Sequence, residues 1–218
     1  MITLLEVDNV SVSFDGFKAV NNLSFTIGYN ELQAIIGPNG AGKTTFMDII
    51  TGQTKPDSGN ILWGEKSTNL IKKNETEIAL LGIGRKFQKP TVFENKSLIE
   101  NLILSQKKNR NPFNVLFQRN SENDIKNIIK ILKDINLLNI KDKRAGDISH
   151  GQKQWLEIGM LLTQNPKLLL VDEPAAGMTP NERNQTVQIL KKLSKSSSII
   201  VVELSLIHIS EPTRLDGI

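Results

Sequence analysis

The sequence contains no cysteine, which excludes a disulfide framework, a thiolate metal site and a cysteine nucleophile, and suits a reducing compartment. No apolar run approaches the ~18 residues that a membrane-spanning helix needs. The opening residues, MITLLEVDNV, lack the basic stretch and apolar stretch of a signal peptide. Neither secretion by a signal nor a membrane span is expected. There is no internal repeat, no long low-complexity tract and no basic arm: 27 Lys and Arg against 23 Asp and Glu leave a net charge of +4 spread along the chain. That mild excess permits phosphate ligands without demanding nucleic acid. The 218 residues, 39% hydrophobic and 23% charged, are enough for one α/β domain of ordinary size or two small ones with a buried core.

Hydrophobic spacing gives a coarse order of elements. Residues 4–14 alternate around Val7, Val10 and Val12, and residues 19–27 follow a turn at Asp15 and Gly16, so both are expected to be strands of an antiparallel flank. Residues 32–36 form a short apolar run ending in a Gly-rich turn, and 44–50 read as a helix opening from it. From about 97 to 164 the spacing becomes helical: Ile125, Ile128, Ile129, Leu132 and Ile135 recur with Lys and Asn between them. Strand 168–171, helix 181–193 and strand 199–202 complete a mostly parallel sheet enclosing a helical insertion. The expected core is about 1–90 and 165–203, and the helical part about 91–164.

The segment GPNGAGKT, residues 37–44, matches G-x-x-x-x-G-K-[ST] between a strand and a helix. Glycines let backbone amides curl round an anion, and the helix N-terminus adds positive potential. Lys43 would reach the β and γ phosphates, and the Thr44 hydroxyl would ligate Mg²⁺. The alternative is a Gly-rich turn with a surface lysine. LLLVDEP, residues 168–174, is an apolar strand ending in two acids, and the carboxyl end of such a strand is where ligands sit in open α/β sheets. Asp172 would hold Mg²⁺ and Glu173 would polarise an attacking water; the alternative is a solvated acidic turn. In ISHGQ, Ser149 and Gln152 form a helix capping box, which is compatible with an anion site at the same helix start.

Taken in order, GPNGAGKTT, the Gln88 of GRKFQKP, ISHGQ and LLLVDEP resemble the nucleotide-binding domain of ABC transporters. The resemblance implies an α/β P-loop fold with a RecA-like parallel-sheet core, an antiparallel β flank and a helical subdomain. It implies ATP and Mg²⁺ as cofactors, with Gly37, Pro38, Asn39, Gly40, Ala41, Gly42, Lys43, Thr44 and Thr45 around the nucleotide. Phe14 falls where the family stacks an aromatic on adenine, and Gln88 where it touches Mg²⁺ and water and senses the membrane partner. Ser149, Gly151 and Gln152 match the signature that closes on the γ phosphate of a second protomer, and residues 176–179 match the loop crossing the dimer interface. His150 stands where the family usually has Gly. Partners implied are a second ATPase subunit and transmembrane permease subunits, with no nucleic acid expected, and a cytoplasmic location at the inner face of the plasma membrane.

Within the family, GRKFQKPTVFEN, GDISHGQKQWLEIGMLL and VDEPAAGMT, with Trp155 and His150, look most like the urea-type branch of amino-acid and amide importers; branched-chain amino acid importers are the nearest alternative. A soluble ABC ATPase using Lys107, Lys108 and Arg110 on nucleic acid is disfavoured by the single cassette, and a P-loop kinase or GTPase by ISHGQ. After Glu203 the family has His, whereas Leu204 stands here, and residues 205–214 resemble a translated transposase adapter of sequencing libraries. The tail 204–218 is therefore expected to be non-native, the cassette truncated and its hydrolysis impaired, with His208 no substitute for the missing His.

Overall fold

Asp15 and Gly16 adopt φ of 48° and 83° in the computed structural model, the left-handed pair that a tight hairpin turn requires. The turn joins β1 (Thr3–Phe14) to β2 (Phe17–Gly28) with Phe14 opposite Phe17. The structure describes residues 2–86, 92–106 and 122–203. Gln88, Lys107, Lys108, Arg110, His208 and the tail 204–218 lie outside the described residues. The chain continues through β3 (Leu32–Ile36), α1 (Lys43–Thr51), β4 (Ser58–Trp63), β5 (Thr68–Asn69), α2 (Glu75–Leu80) and β6 (Ile83–Lys86). Helices α3 (Leu98–Ser105), α4 (Glu122–Asp134) and α5 (His150–Leu162) follow, then β7 (Leu168–Asp172), α6 (Pro180–Leu193) and β8 (Ser198–Glu203).

The strands form an antiparallel sheet of order β2-β1-β4-β5 and a parallel sheet of order β3-β8-β7-β6. Three strands were not legible in the sequence. In β4 only Ile61 and Trp63 are buried, β5 is two residues long, and β6 carries Arg85 and Lys86 within four residues. Too few apolar residues alternate in any of them to give a period-two signal.

The described residues fall into two compact units, one of 2–86, 166–176 and 190–203, the other of 92–106, 122–165 and 177–189. In the first, Val7, Val10 and Val12 of β1 join Ile35, Leu170 and Ile200 of the parallel sheet in one apolar cluster with Phe46, Met47 and Ile50 of α1. Phe46 is fully buried and meets Phe25 edge to face, with centroids 5.2 Å apart. In the second, Leu98, Leu102, Ile158 and Leu156 are buried, as are Ile128, Ile131, Leu132 and Ile135. The buried stripe of α4 and its end is thus 128, 131, 132, 135, itself an i, i+3, i+4, i+7 face. Ile125 and Ile129, expected on that face, are half-exposed because the stripe is centred nearer Ile131.

Replacing Phe46 by Ala removes a fully buried ring and its contact with Phe25. The expected loss of stability is about 3–5 kcal/mol, read as a lower urea midpoint at unchanged slope.

Candidate functional site

The loop of residues 37–42 leaves the end of β3 and delivers the chain to α1. Gly40 and Gly42 take φ of 83° and 74°, which side chains with a Cβ rarely adopt, so these two glycines, the second of them in the pattern, serve the backbone path. Gly42 is the N-cap of α1, no side chain among the described residues caps the helix start, and the first turn holds no acid. By contrast α2, α3 and α5 each start with a reciprocal capping box, Asn74 with Glu77, Ser97 with Glu100 and Ser149 with Gln152. The start of α1 therefore presents backbone donors to something outside the helix. Lys43 is only 7% exposed, and its Nζ donates to Gly37 O at 2.7 Å and Pro38 O at 2.8 Å, closing the loop on itself. Pro38, Asn39, Gly40 and Thr44 are exposed, while Gly37, Ala41, Gly42 and Thr45 are half-buried.

The parallel register brings the predicted acids to the same sheet edge. Val202 of β8 pairs with Ile35 of β3 on one side and with Asp172 of β7 on the other, so the loop after Ile36 and the carboxylate of Asp172 emerge from strands separated by β8 alone. Two inter-strand steps are about 10 Å. Asp172 is 4% exposed; burial pushes its carboxyl above the usual range, against the opposing pull of Arg85, with Glu173 adding to the rise and Lys86 and Lys43 opposing it. Glu173 donates its N–H to Val202 O at 2.8 Å and then turns at φ 44°, a left-handed conformation costly for a side chain of this kind. The turn is held by Glu203, a buried residue whose Oε1 accepts from Ala175 N–H at 3.0 Å.

The donor set suits Mg²⁺. No group of three or more His, Cys, Asp or Glu placed to hold a metal ion occurs among the described residues. A buried carboxylate, Asp172, and an exposed hydroxyl, Thr44, are the kind of sparse oxygen donors that would suit Mg²⁺ when phosphates and water complete its shell.

In the second unit, Ser149 N–H donates to Gln152 Oε1 at 3.1 Å, and Ser149 Oγ accepts from Gln152 N–H at 3.2 Å, the capping box expected from the sequence. His150 is exposed, with Nε2 3.3 Å from Gln154 Nε2. Trp155 is buried and donates through Nε1 to Thr186 Oγ1 at 2.8 Å. Phe14, in the first unit, is 47% exposed at the end of the hairpin, available for stacking. Two residues here escaped the sequence reading. Glu203 ends an apolar strand as Asp172 does, and Glu182 stands three places after Thr179, a capping-box spacing that could have flagged it.

Residues 20–176 match the family model described as ABC transporter. The chain belongs to the ABC transporter family. It is 32% identical over 206 residues to a probable branched-chain amino acid transport ATP-binding protein, LivG, of Methanocaldococcus jannaschii, covering 92% of this chain and 79% of the relative. It is equally 32% identical to the high-affinity branched-chain amino acid transport ATP-binding protein BraF of Pseudomonas aeruginosa, over 91% of this chain and 80% of that one. An ATP-binding cassette of an ABC transporter, solved in an ADP conformation, superposes with a TM-score of 0.81 at 29% identity, over 94% of this chain and 83% of that one. As an ABC ATPase the chain binds ATP with Mg²⁺ and hydrolyses it.

Lys43→Ala deletes the ammonium that bridges two loop carbonyls. Loss of a charge-assisted contact to a polyphosphate is worth about 1.5–3 kcal/mol, so titration with fluorescent ATP is expected to show roughly ten- to hundredfold weaker binding.

Proposed function

We propose that this ABC ATPase energises the import of branched-chain amino acids through separate permease subunits. The observation that carries the ATP half of this reading is the shared sheet edge of the 37–44 loop, Asp172 and Glu173. The solute is taken from the relatives at 32% identity, which are branched-chain amino acid transport ATP-binding proteins. Gly37 to Gly42 and the start of α1 would cradle the phosphates through backbone N–H groups, and Lys43 would move its ammonium from loop carbonyls to phosphate oxygens. Thr44 and Asp172 would hold Mg²⁺, with Gln88 as a further contact. When bound, that ion neutralises charge on the phosphates. Glu173 would accept a proton from the attacking water and so polarise it, and Phe14 would stack on adenine.

Ser149, Gly151 and Gln152 of one protomer would meet the γ phosphate held by its partner, so the working form is a dimer of this chain with itself or a related subunit. No helix among the described residues is long and apolar enough to cross a membrane. The subunit is proposed to sit at the cytoplasmic face, docked on permeases that are other chains. A second reading, import of urea or short amides, is favoured by His150 and Trp155. Reconstitution with the permeases and binding protein of each kind of importer separates the two: leucine-stimulated hydrolysis supports the first, urea-stimulated hydrolysis the second.

Glu173→Gln tests the hydrolytic role. The amide keeps the shape and loses the charge, so turnover is expected to fall about a hundredfold or more while ATP stays bound and holds two protomers together in gel filtration with Mg²⁺. Normal hydrolysis with only monomer would assign the water-activating role elsewhere.

A further inference from the structure

We propose that Glu182 is a positioning residue: it holds the hydroxyl proton of Ser149 and ties that serine to Thr179, so that donation by Ser149 to a phosphate requires the proton to change acceptor. The proposal deepens, and rests on, the reading of Ser149 as a γ-phosphate contact.

A serine hydroxyl has one proton. The Oγ of Ser149 already accepts from Gln152 N–H at 3.2 Å, and it lies 2.9 Å from Glu182 Oε1. An ionised carboxylate can only accept, which fixes the direction of the second bond: Ser149 donates its single proton to Glu182. Hydrogen bonds from the Thr179 backbone first, then from Ser149 and the Thr179 hydroxyl, with the nearby His150 assisting, hold Glu182 below the usual carboxylate range, so it is charged at neutral pH. The other oxygen, Oε2, accepts from Thr179 N–H at 3.0 Å and Thr179 Oγ1 at 2.9 Å. One carboxylate thus bridges the signature serine and the end of the loop before α6, one oxygen to each.

Gly151 leaves room for this approach. A Cβ on residue 151 would stand 2.7 Å from Glu182 Oε1 and 2.9 Å from its carboxyl carbon. The glycine leaves the space in which the carboxylate lies over the start of α5, within reach of Ser149.

A phosphate oxygen that approaches Ser149 therefore competes with Glu182 for one proton and also meets its negative charge. When the proton changes acceptor, Glu182 keeps only its bonds to Thr179, so engagement of Ser149 is felt at that loop. By linkage, anything that draws Thr179 and Glu182 away frees the serine. An amide at position 182 is a weaker acceptor and carries no charge, so it should release Ser149 more readily.

The test uses the full chain carrying Glu173→Gln, in which hydrolysis does not consume the nucleotide, and reads the ATP concentration giving half-maximal dimer in the presence of Mg²⁺. Adding Glu182→Gln is expected to lower that concentration about three- to tenfold, the difference between a charged and a neutral acceptor at an accessible site. Ser149→Ala has no proton to hold, so adding Glu182→Gln to it should give a clearly smaller shift, from the lost charge alone. Thermal melting checks folding. Glu182→Asp, charged but a methylene too short to span Ser149 and Thr179, serves as the second variant and is expected to shift in the same direction. A rise or no change with Glu182→Gln, or an equal shift with and without Ser149, makes Glu182 a helix cap only and overturns the proposal. If the Glu173→Gln parent forms no ATP-dependent dimer, the reading of Ser149 itself falls, and the proposal with it.

Discussion

β8 lies between β3 and β7, and the nucleotide half of the molecule depends on that pairing. All six residues of β8 are buried, as expected for a strand covered on both faces. Its register sets the carboxyl ends of three strands level, so that a glycine loop, a buried aspartate and a strained glutamate emerge side by side. β8 also supplies two polar groups at its own end: the carbonyl of Val202, which accepts from Glu173, and the carboxylate of Glu203, which accepts from Ala175. A slip of one residue would turn every side chain of a strand to its opposite face and uncouple these groups.

Charge around that edge is kept in partial balance. Asp172 is buried beside a second acid, which disfavours its ionised form, and Arg85, Lys86 and Lys43 oppose that effect. Across the loop, α1 begins with N–H groups that no side chain caps and a lysine whose ammonium, among the described residues, is hydrogen-bonded to carbonyls. Carbonyls are weaker partners for an ammonium than ionised oxygens, so the loop is primed for an anion bearing several oxygens.

The N-terminal caps show one chemical device used for different ends. Asn74 and Ser97 close their helices with a glutamate of the same helix, an arrangement that satisfies orphan donors and needs nothing further. Ser149 closes α5 in the same way with an uncharged Gln152, but it has in addition a carboxylate from another element on its hydroxyl. Glu182 in turn caps its own helix through Thr179. Two helix starts therefore share one carboxylate, and the loop before α6 cannot shift without consequence for Ser149.

The sequence by itself determined the strand, loop and helix around Lys43, the apolar strand ending at Asp172, the capping box at Ser149 and the hairpin at Asp15 and Gly16. Each is a local pattern whose spacing is imposed by backbone geometry, so it is readable within a dozen residues or fewer. Strands β4 and β6 were not legible, because pairing with β1 and β7 rather than alternation makes them strands, and β5, two residues long beside β4, is too short to carry a period. The same holds for the buried face of α4, whose centre is set by what α3 and α5 leave open rather than by its own isoleucines. Only the tertiary structure decided that Glu203 braces the turn after Glu173 and that Glu182 reaches Ser149. Both contacts join residues about 30 positions apart in sequence, and a carboxylate's partner at such separation is chosen by sheet register and helix placement, which no local pattern encodes.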